Sequence, residues 1–195
     1  MAISYPLATP TSIGIESIEL RAVNAVATSQ SPFTYKQQVI SHGGQKWEAS
    51  VTIPPVHRDL AAPWKSMLVA LKGPTGTFLL GDPDYATPQG TVSSCTLSGN
   101  AGDETATVVM TGTLKAGDYI QLGSAGNSRL HQVLEDQSGS GTLEIWPALR
   151  SDYTNTTVVF NSPKGVFRLA SNVTSWSINN ASTYGISFEA VEALT

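Results

Sequence analysis

The sequence is poor in cysteine, in charged residues and in long apolar runs. Its single cysteine, Cys95, cannot form a disulfide within the chain, and no group of cysteine and histidine residues has the spacing of a metal site. The longest apolar run, Met67–Leu71, is much shorter than the ~20 residues of a transmembrane helix. We therefore expect no internal disulfide, no metal or other cofactor, and no membrane anchor.

Charged residues are also rare. Charged residues make up 13% of the chain, about half of the ~25% found in ordinary soluble domains. The net charge of −4 gives no electrostatic support for a general affinity for nucleic acid. The first ten residues lack a basic segment followed by an apolar one, so we expect no signal peptide and synthesis in the cytoplasm.

Small polar and turn-forming residues are abundant instead. The chain contains 22 Ser, 21 Thr, 17 Gly and 11 Pro, and 41% of its residues are hydrophobic. Threonine favours strands, glycine and proline favour turns, and the hydrophobic share is large enough for a proper core. The composition therefore predicts a mainly β fold with many short strands.

The N-terminal part shows the period-two pattern of strands. Apolar and polar residues alternate over Trp47–Ile53, which predicts a strand with one wet face. Phe33–Val39 has a similar apolar face, and we expect His42–Gly44 to be the turn between the two strands. Pro54–Pro55 is predicted to end the sheet because proline cannot donate a hydrogen bond to a neighbouring strand.

One helix is predicted, over about residues 58–72. Its apolar stripe has helical spacing and should cover one face of the sheet. Asp59 is expected to cap its N-terminus, and Gly73–Pro74 is expected to end it. The stripe comprises Leu60, Trp64, Met67, Leu68 and Leu71.

The middle of the chain differs from both ends. Residues 88–162 carry a net charge of −4, whereas the flanking parts sum to zero. Short strands at a spacing of roughly 8–12 residues are typical of a small β-barrel of OB-like type or a sandwich. The predicted strands are Val108–Met110, Tyr119–Leu122, Leu130–Leu134 and Leu143–Trp146.

The strand pattern of the N-terminal part returns at the end of the chain, at residues 165–169 and 184–190. We therefore predict a discontinuous β-sandwich or barrel domain with one packed α-helix, formed by residues 1–87 plus 163–195. The small β-barrel domain of residues 88–162 is inserted into it.

No motif for catalysis is present. The sequence lacks the P-loop, the nucleophile elbow, the dinucleotide-binding glycine pattern and the H-E-x-x-H zinc motif. We expect His42, His57 and His131 to be surface or capping residues, with His131 facing outward on its strand. We predict no catalytic, cofactor-binding or metal-binding residue, and no enzyme activity.

Three further features have structural explanations. Asp82 and Asp84 flank a proline, and an Asx turn explains them better than a pair of catalytic carboxylates. Cys95 lies in a strand-like stretch and is expected to be a small buried hydrophobe. Lys115–Asp118 should form the turn that opens the next strand. The aromatic residues Tyr119, Trp146 and Tyr153 fit either an exposed platform or the core.

Several stretches resemble tail proteins of long-tailed bacteriophages. They are Ser31–Val39, Gly43–Pro55, Leu71–Pro83, Leu114–Gly123, Ile145–Arg150 and Pro163–Leu169. Within that group, the arrangement is similar to the distal tail protein family of siphovirus-type phages. Members of that family have an N-terminal β domain with a packed helix, interrupted by an inserted barrel or sandwich.

The resemblance implies a structural protein of the virion, made in the host cytoplasm and located at the distal end of the tail. It implies a homo-oligomeric ring, typically a hexamer, that joins the tail tube protein to the hub, fibre or baseplate proteins of the receptor-binding tip. Phage DNA would pass through the lumen without specific binding. A tail tube or tail-completion subunit is an alternative function.

Two other classes of function stay open. A carbohydrate-binding tail module would need exposed aromatic platforms on the inserted barrel. A hydrolase would need a pocket with strongly perturbed carboxylates.

Overall fold

The structure is a computed structural model that describes residues 3–194, and it confirms the mainly β fold with one α-helix among those residues. Two short 3₁₀ helices, Gly73–Thr75 and Ala125–Asn127, lie in loops. The elements are β1 Ser17–Gln30, β2 Gln37–His57, α1 Arg58–Ala70, β3 Phe78–Leu80, β4 Ser94–Gly99, β5 Thr105–Thr111, β6 Thr113–Leu114, β7 Tyr119–Leu122, β8 Arg129–Val133, β9 Gln137–Ser138, β10 Gly141–Trp146, β11 Tyr153–Thr157, β12 Gly165–Leu169, β13 Trp176–Ile178 and β14 Thr183–Glu192.

The first sheet combines strands from both ends of the chain. Its order is β1-β2-β14-β12-β3, with β13 also paired to β14, and every pairing is antiparallel. Leu80, at the end of β3, lies opposite Gly165, at the start of β12. All strands of the second sheet fall between these two residues in the chain. The domain boundaries at residues 88 and 162 stay a prediction, because strand pairing does not test independent folding.

The second sheet is antiparallel, with the order β11-β4-β5-β10-β8-β7, and a separate pair joins β6 to β9. Its two edges meet after β11, where Gln121 donates to the Val159 carbonyl at 2.7 Å and Val159 donates to the Gln121 carbonyl at 3.0 Å. The sheet is therefore curled around its own core. Along β5, Ala106, Val108 and Met110 are buried, whereas the residues between them face outward.

Helix α1 packs on β2 and β14 and buries most of the predicted stripe. Trp64 and Leu68 belong to the core of the first sheet, but Leu60 is 42% exposed, so the prediction is wrong at that end. The predicted cap is also wrong. His57 is the N-cap residue and makes no side-chain cap bond, while Asp59 lies in the first turn. There its negative charge is favourable because the helix dipole is positive at this end.

The predicted turn at His42–Gly44 is instead a bulge inside β2. Asn24 faces Gln45 and Val26 faces Ser41, so three residues of β2 lie opposite one residue of β1. Gly43 has a φ of +70°, in the left-handed region that glycine adopts freely. The turn between β1 and β2 lies at Ser31–Lys36, where the Ser31 amide donates to the Lys36 carbonyl at 3.0 Å.

The prediction that Pro54–Pro55 ends the sheet is wrong as well, because β2 continues to His57. β1 begins opposite Thr52 and so leaves this part of β2 without a partner on that side. On the other side, the register of β14 shifts between Tyr184 and Ile186. The missing proline amides therefore fall where the ladder is already interrupted.

Candidate assembly surface

The three histidines do not come together. His42 lies exposed at the bulge of β2, and His57 lies exposed at the start of α1. His131 is completely buried, so the prediction that it faces outward is wrong. Its strand, β8, is covered on both faces because Leu130, the residue before it, packs into the core of the first sheet.

The other candidate residues lie in a turn, in the core or in surface ion pairs. The Asp84 amide donates to Asp82 Oδ1 at 3.0 Å, which confirms the Asx turn. Cys95 is buried, as predicted, and burial raises the pKa of its thiol to about 11. Hydrogen bonds from Arg21 and Lys115 lower the pKa of two exposed carboxyl groups, Glu19 and Asp136 respectively, which form surface ion pairs.

Residues 3–194 contain neither a cluster of metal-ligating side chains nor a helix suited to a membrane. No group of three or more His, Cys, Asp or Glu side chains is placed to hold a metal ion. No helix in that range has the length and apolar character needed to cross a membrane.

Asp118, in the predicted turn before β7, is fully buried and holds two loops together. Its carboxylate accepts hydrogen bonds from the Tyr85 hydroxyl at 3.0 Å and from the backbone amides of Gln89, Gly90 and Lys115 at 2.7, 3.3 and 2.8 Å. Hydrogen bonds to a charged acceptor are worth more than neutral ones, and they offset the cost of burying this charge. Asp118 thus fixes the segment that leads into the second sheet.

We expect Asp118→Asn to lower the free energy of unfolding by about 2 kcal/mol, because the amide removes the charge and replaces one acceptor by a donor. Urea denaturation of the full chain measures the change. Asp136→Asn is the matched control, since Asp136 accepts from the next turn residue, the Ala116 amide, but is exposed. The loss of stability in this variant should be much smaller than in Asp118→Asn, because a surface ion pair contributes little. Equal losses in the two variants would contradict the role of Asp118.

Aromatic side chains join the two sheets. The Trp47 indole donates to the Leu130 carbonyl at 2.9 Å. Its ring meets Trp146 edge-on, with centroids 4.5 Å apart, and lies 6.0 Å from Tyr119. Tyr153 packs against the core of the second sheet instead. These three predicted candidates for an exposed platform, Tyr119, Trp146 and Tyr153, therefore pack within the protein.

A largely buried ion pair, formed by the buried Glu192 and the partly exposed Arg150, lies beside Trp47. Glu192 accepts from the Trp47 amide at 3.1 Å and from Arg150 Nη2 at 2.9 Å. The same Arg150 nitrogen donates to the Gln45 carbonyl at 2.6 Å. Arg129 donates to the Ala193 carbonyl at 2.6 Å. Residues of the second sheet thus bind the C-terminal strand and the middle of β2.

His131 lies in the same region of contact between the two sheets around Trp47, which we call the junction. Its Nδ1 is 2.7 Å from the Pro147 carbonyl oxygen, and a carbonyl only accepts, so Nδ1 carries a hydrogen. Nε2 is buried and has no hydrogen-bond partner among residues 3–194. The pKa of the ring is lowered to about 4. Burial is the main cause, the hydrogen bond to Pro147 opposes it, and the nearby charges of Arg150 and Arg129 add to the lowering.

A long β-hairpin extends beyond this junction. β14 reaches β2 only as far as Glu48, whereas β1 and β2 continue to pair with each other up to Gln30 and Gln37. We call residues 24–45 the hairpin ribbon. Its base is fixed to the second sheet, because Trp146 Nε1 donates to Asn24 Oδ1 at 2.8 Å and the Ala148 amide donates to Gln45 Oε1 at 2.6 Å.

Both faces of the hairpin ribbon are exposed. Phe33 and Tyr35, at the turn, are 91% and 74% exposed, so their predicted place on a sheet face is wrong. Val26, Val39 and Ile40 are exposed along the strands. Lys36 is the single Asp, Glu, Lys or Arg residue in the ribbon.

An isolated two-stranded hairpin is marginally stable in water, and an exposed strand edge without charges or prolines invites pairing. The described chain places no third strand on the ribbon. The ribbon is therefore a surface suited to contact with another protein chain. Interface cores are likewise depleted in charged residues. Compared with known protein families and with curated proteins, the chain matches none.

Proposed function

We propose that this protein is a structural subunit of a bacteriophage tail. Its copies form a ring at the distal end of the tail in the virion, where the ring joins the tail tube to the hub and receptor-binding tip. The proposal combines the resemblance to distal tail proteins with one structural observation, the hairpin ribbon. The role requires no catalytic centre, cofactor or metal.

The hairpin ribbon supports a contact between subunits for an energetic reason. A strand that pairs with the ribbon satisfies its open backbone groups, and burying its exposed apolar side chains contributes roughly 25 cal/mol per Å². Almost no charge has to be desolvated, because Lys36 is the ribbon's one charged residue. The hydrogen bonds of Asn24 and Gln45 to the second sheet hold the base of the ribbon in place. Little conformational entropy of the base is therefore lost when subunits assemble.

The charge distribution fits a lumen through which DNA slides. A channel lined with basic residues would bind phosphate tightly. The 11 Lys and Arg residues are spread along the chain, with no two adjacent in the sequence. The subunit number of six comes from the resemblance alone.

The first test is assembly of the purified chain at high concentration, followed by negative-stain electron microscopy. We expect closed rings with a central hole wide enough for duplex DNA. Long stacked tubes would favour the alternative of a tail tube subunit. Particles that remain monomers in solution, and are missing from the distal density of assembled tails, would overturn the proposal.

The ribbon itself is tested by a variant with Val39→Lys and Ile40→Lys. Both side chains are exposed, so the thermal midpoint should change little, whereas the charges should abolish ring formation. Val109→Lys is the matched control. Val109 is equally exposed, but it lies on the outer face of β5, which is paired on both edges. Rings formed by the ribbon variant as readily as by wild type would contradict a role for this surface.

A further inference from the structure

The first sheet has two kinds of edge. The β3 edge is covered, because the Leu7 amide donates to the Thr77 carbonyl and the Leu79 amide donates to the Leu7 carbonyl, both at 2.9 Å. β1 and β13 have no strand on their outer sides within the described residues. The sheet is therefore open at β1 and at β13.

The open β13 edge carries an apolar patch, which we define as Val173, Trp176 and Ile178. Val173 is 76% exposed and Ile178 is 59% exposed. The patch has an ordered base. Lys65 Nζ lies 5.6 Å from the centre of the Trp176 ring, and Asn179 Oδ1 accepts from two amides in the turn that leads to β14.

The β13 patch and the hairpin ribbon share a lack of charge. No charged residue occurs between Arg168 and Glu189, which is the longest such interval in the chain, and the ribbon has only Lys36. Lys65, which lies at the patch, is already engaged with the Trp176 and Tyr184 rings. Glu16 also lines a cavity with Trp176 and Ser177. Two surfaces of this kind can thus bury each other while desolvating few charges.

The ribbon cannot reach the patch of its own copy. β13 pairs with the end of β14 that lies beside Ile53 to His57 of β2, whereas the ribbon begins at Gln45 and points the other way along β2. From Asn24 to Gln30 it extends about 20 Å further. Ribbon and patch thus lie at opposite ends of the same strand, as the two halves of a head-to-tail contact must.

We propose that the open edge of β13, with its patch, receives the hairpin ribbon of the next copy of this chain. This inference rests on the proposed ring and names the second surface that the ring requires. Strand pairing between the ribbon and β13 continues the first sheet from one subunit into the next. Each subunit donates one ribbon and receives one, so the assembly closes when the rotation allows it.

Cross-linking with a bis-maleimide tests the pairing directly. Thr28→Cys places a thiol on the ribbon and Ser177→Cys places one on β13, while the native Cys95 is buried. The chain carrying both substitutions should give a ladder of covalent oligomers up to the closed ring. A mixture of the two single variants should give dimers only, and each single variant alone should give none. Wild type with the same reagent is the control for Cys95.

The outcomes separate the two proposals. Rings seen by electron microscopy without a ladder would overturn the β13 assignment and leave the proposed ring intact. Dimers of the Thr28→Cys variant alone would also overturn it, because they require a symmetric ribbon-to-ribbon contact. A wild-type chain that forms neither rings nor any oligomer would overturn both.

Discussion

Arg150→Ala should lower the free energy of unfolding by about 3–5 kcal/mol, the usual cost of removing one partner from a buried ion pair. The substitution leaves the charge of Glu192 buried without its arginine partner, while the Trp47 amide still donates to it. It also frees the Gln45 carbonyl. Chemical denaturation of the full chain, followed by tryptophan fluorescence, measures the loss.

Two comparisons show whether the loss comes from the buried charge. Lys46 Nζ lies 2.8 Å from Glu48 Oε1 in a surface ion pair. Lys46→Ala removes this pair and should lower the free energy of unfolding by less than ~1 kcal/mol. A chain with both Arg150→Met and Glu192→Gln should recover part of the stability, because no unpaired charge remains. If Arg150→Ala cost no more than Lys46→Ala, the junction would not depend on this pair.

The second large effect is a loss of stability in acid caused by His131. The unfolded chain binds a proton near the ordinary pKa of 6.5, whereas the folded chain does so only near pH 4. The unfolded state therefore holds more protons between these values, and stability falls as the pH is lowered from 6.5 to 4. The pKa difference corresponds to about 3 kcal/mol. A proton on Nε2 would be buried without an acceptor, beside two arginines.

His131→Gln separates this effect from the titration of surface carboxylates, which both chains share. Above pH 7 the variant should be less stable than wild type, because its side chain fits the site less well. The difference should shrink toward pH 4, since only the wild type pays for protonation. Unfolding free energies at pH 7.5, 6, 5 and 4 provide the comparison. A constant difference across this range would contradict the assignment to His131.

Local patterns predicted much of the fold. The boundaries of β7 and β12 agree with the predicted strands at 119–122 and 165–169, and the helix begins at residue 58 as expected. Each of these elements buries one face, so apolar and polar residues alternate visibly along it. The hairpin ribbon has two exposed faces and shows no such contrast. A Gly-Gly pair marks a bulge as well as a turn, and the sequence does not separate the two.

The junction could not be predicted for a different reason. Trp47 binds Leu130 across 83 positions of sequence and Glu192 across 145. No local period links residues so far apart. Residue alternation predicts an outward-facing His131 only for a strand with a single buried face, whereas both faces of β8 are covered. Residues 22–35 and 169–188 contain no charged residue. This lack of charge is the feature of the sequence that marks the hairpin ribbon and the β13 patch.

The pairing of Leu80 with Gly165 has a consequence for how such a chain can vary. Adjacent antiparallel strands can be joined by a turn of two residues, so everything between β3 and β12 occupies the place of a hairpin loop. Loop length costs little free energy, and this position accepts additions of very different size without disturbing the first sheet. Replacing the segment between β3 and β12 has one condition. Any replacement must supply equivalents of Leu130, Trp146 and Arg150, because Trp47 and the buried Glu192 otherwise lose their partners.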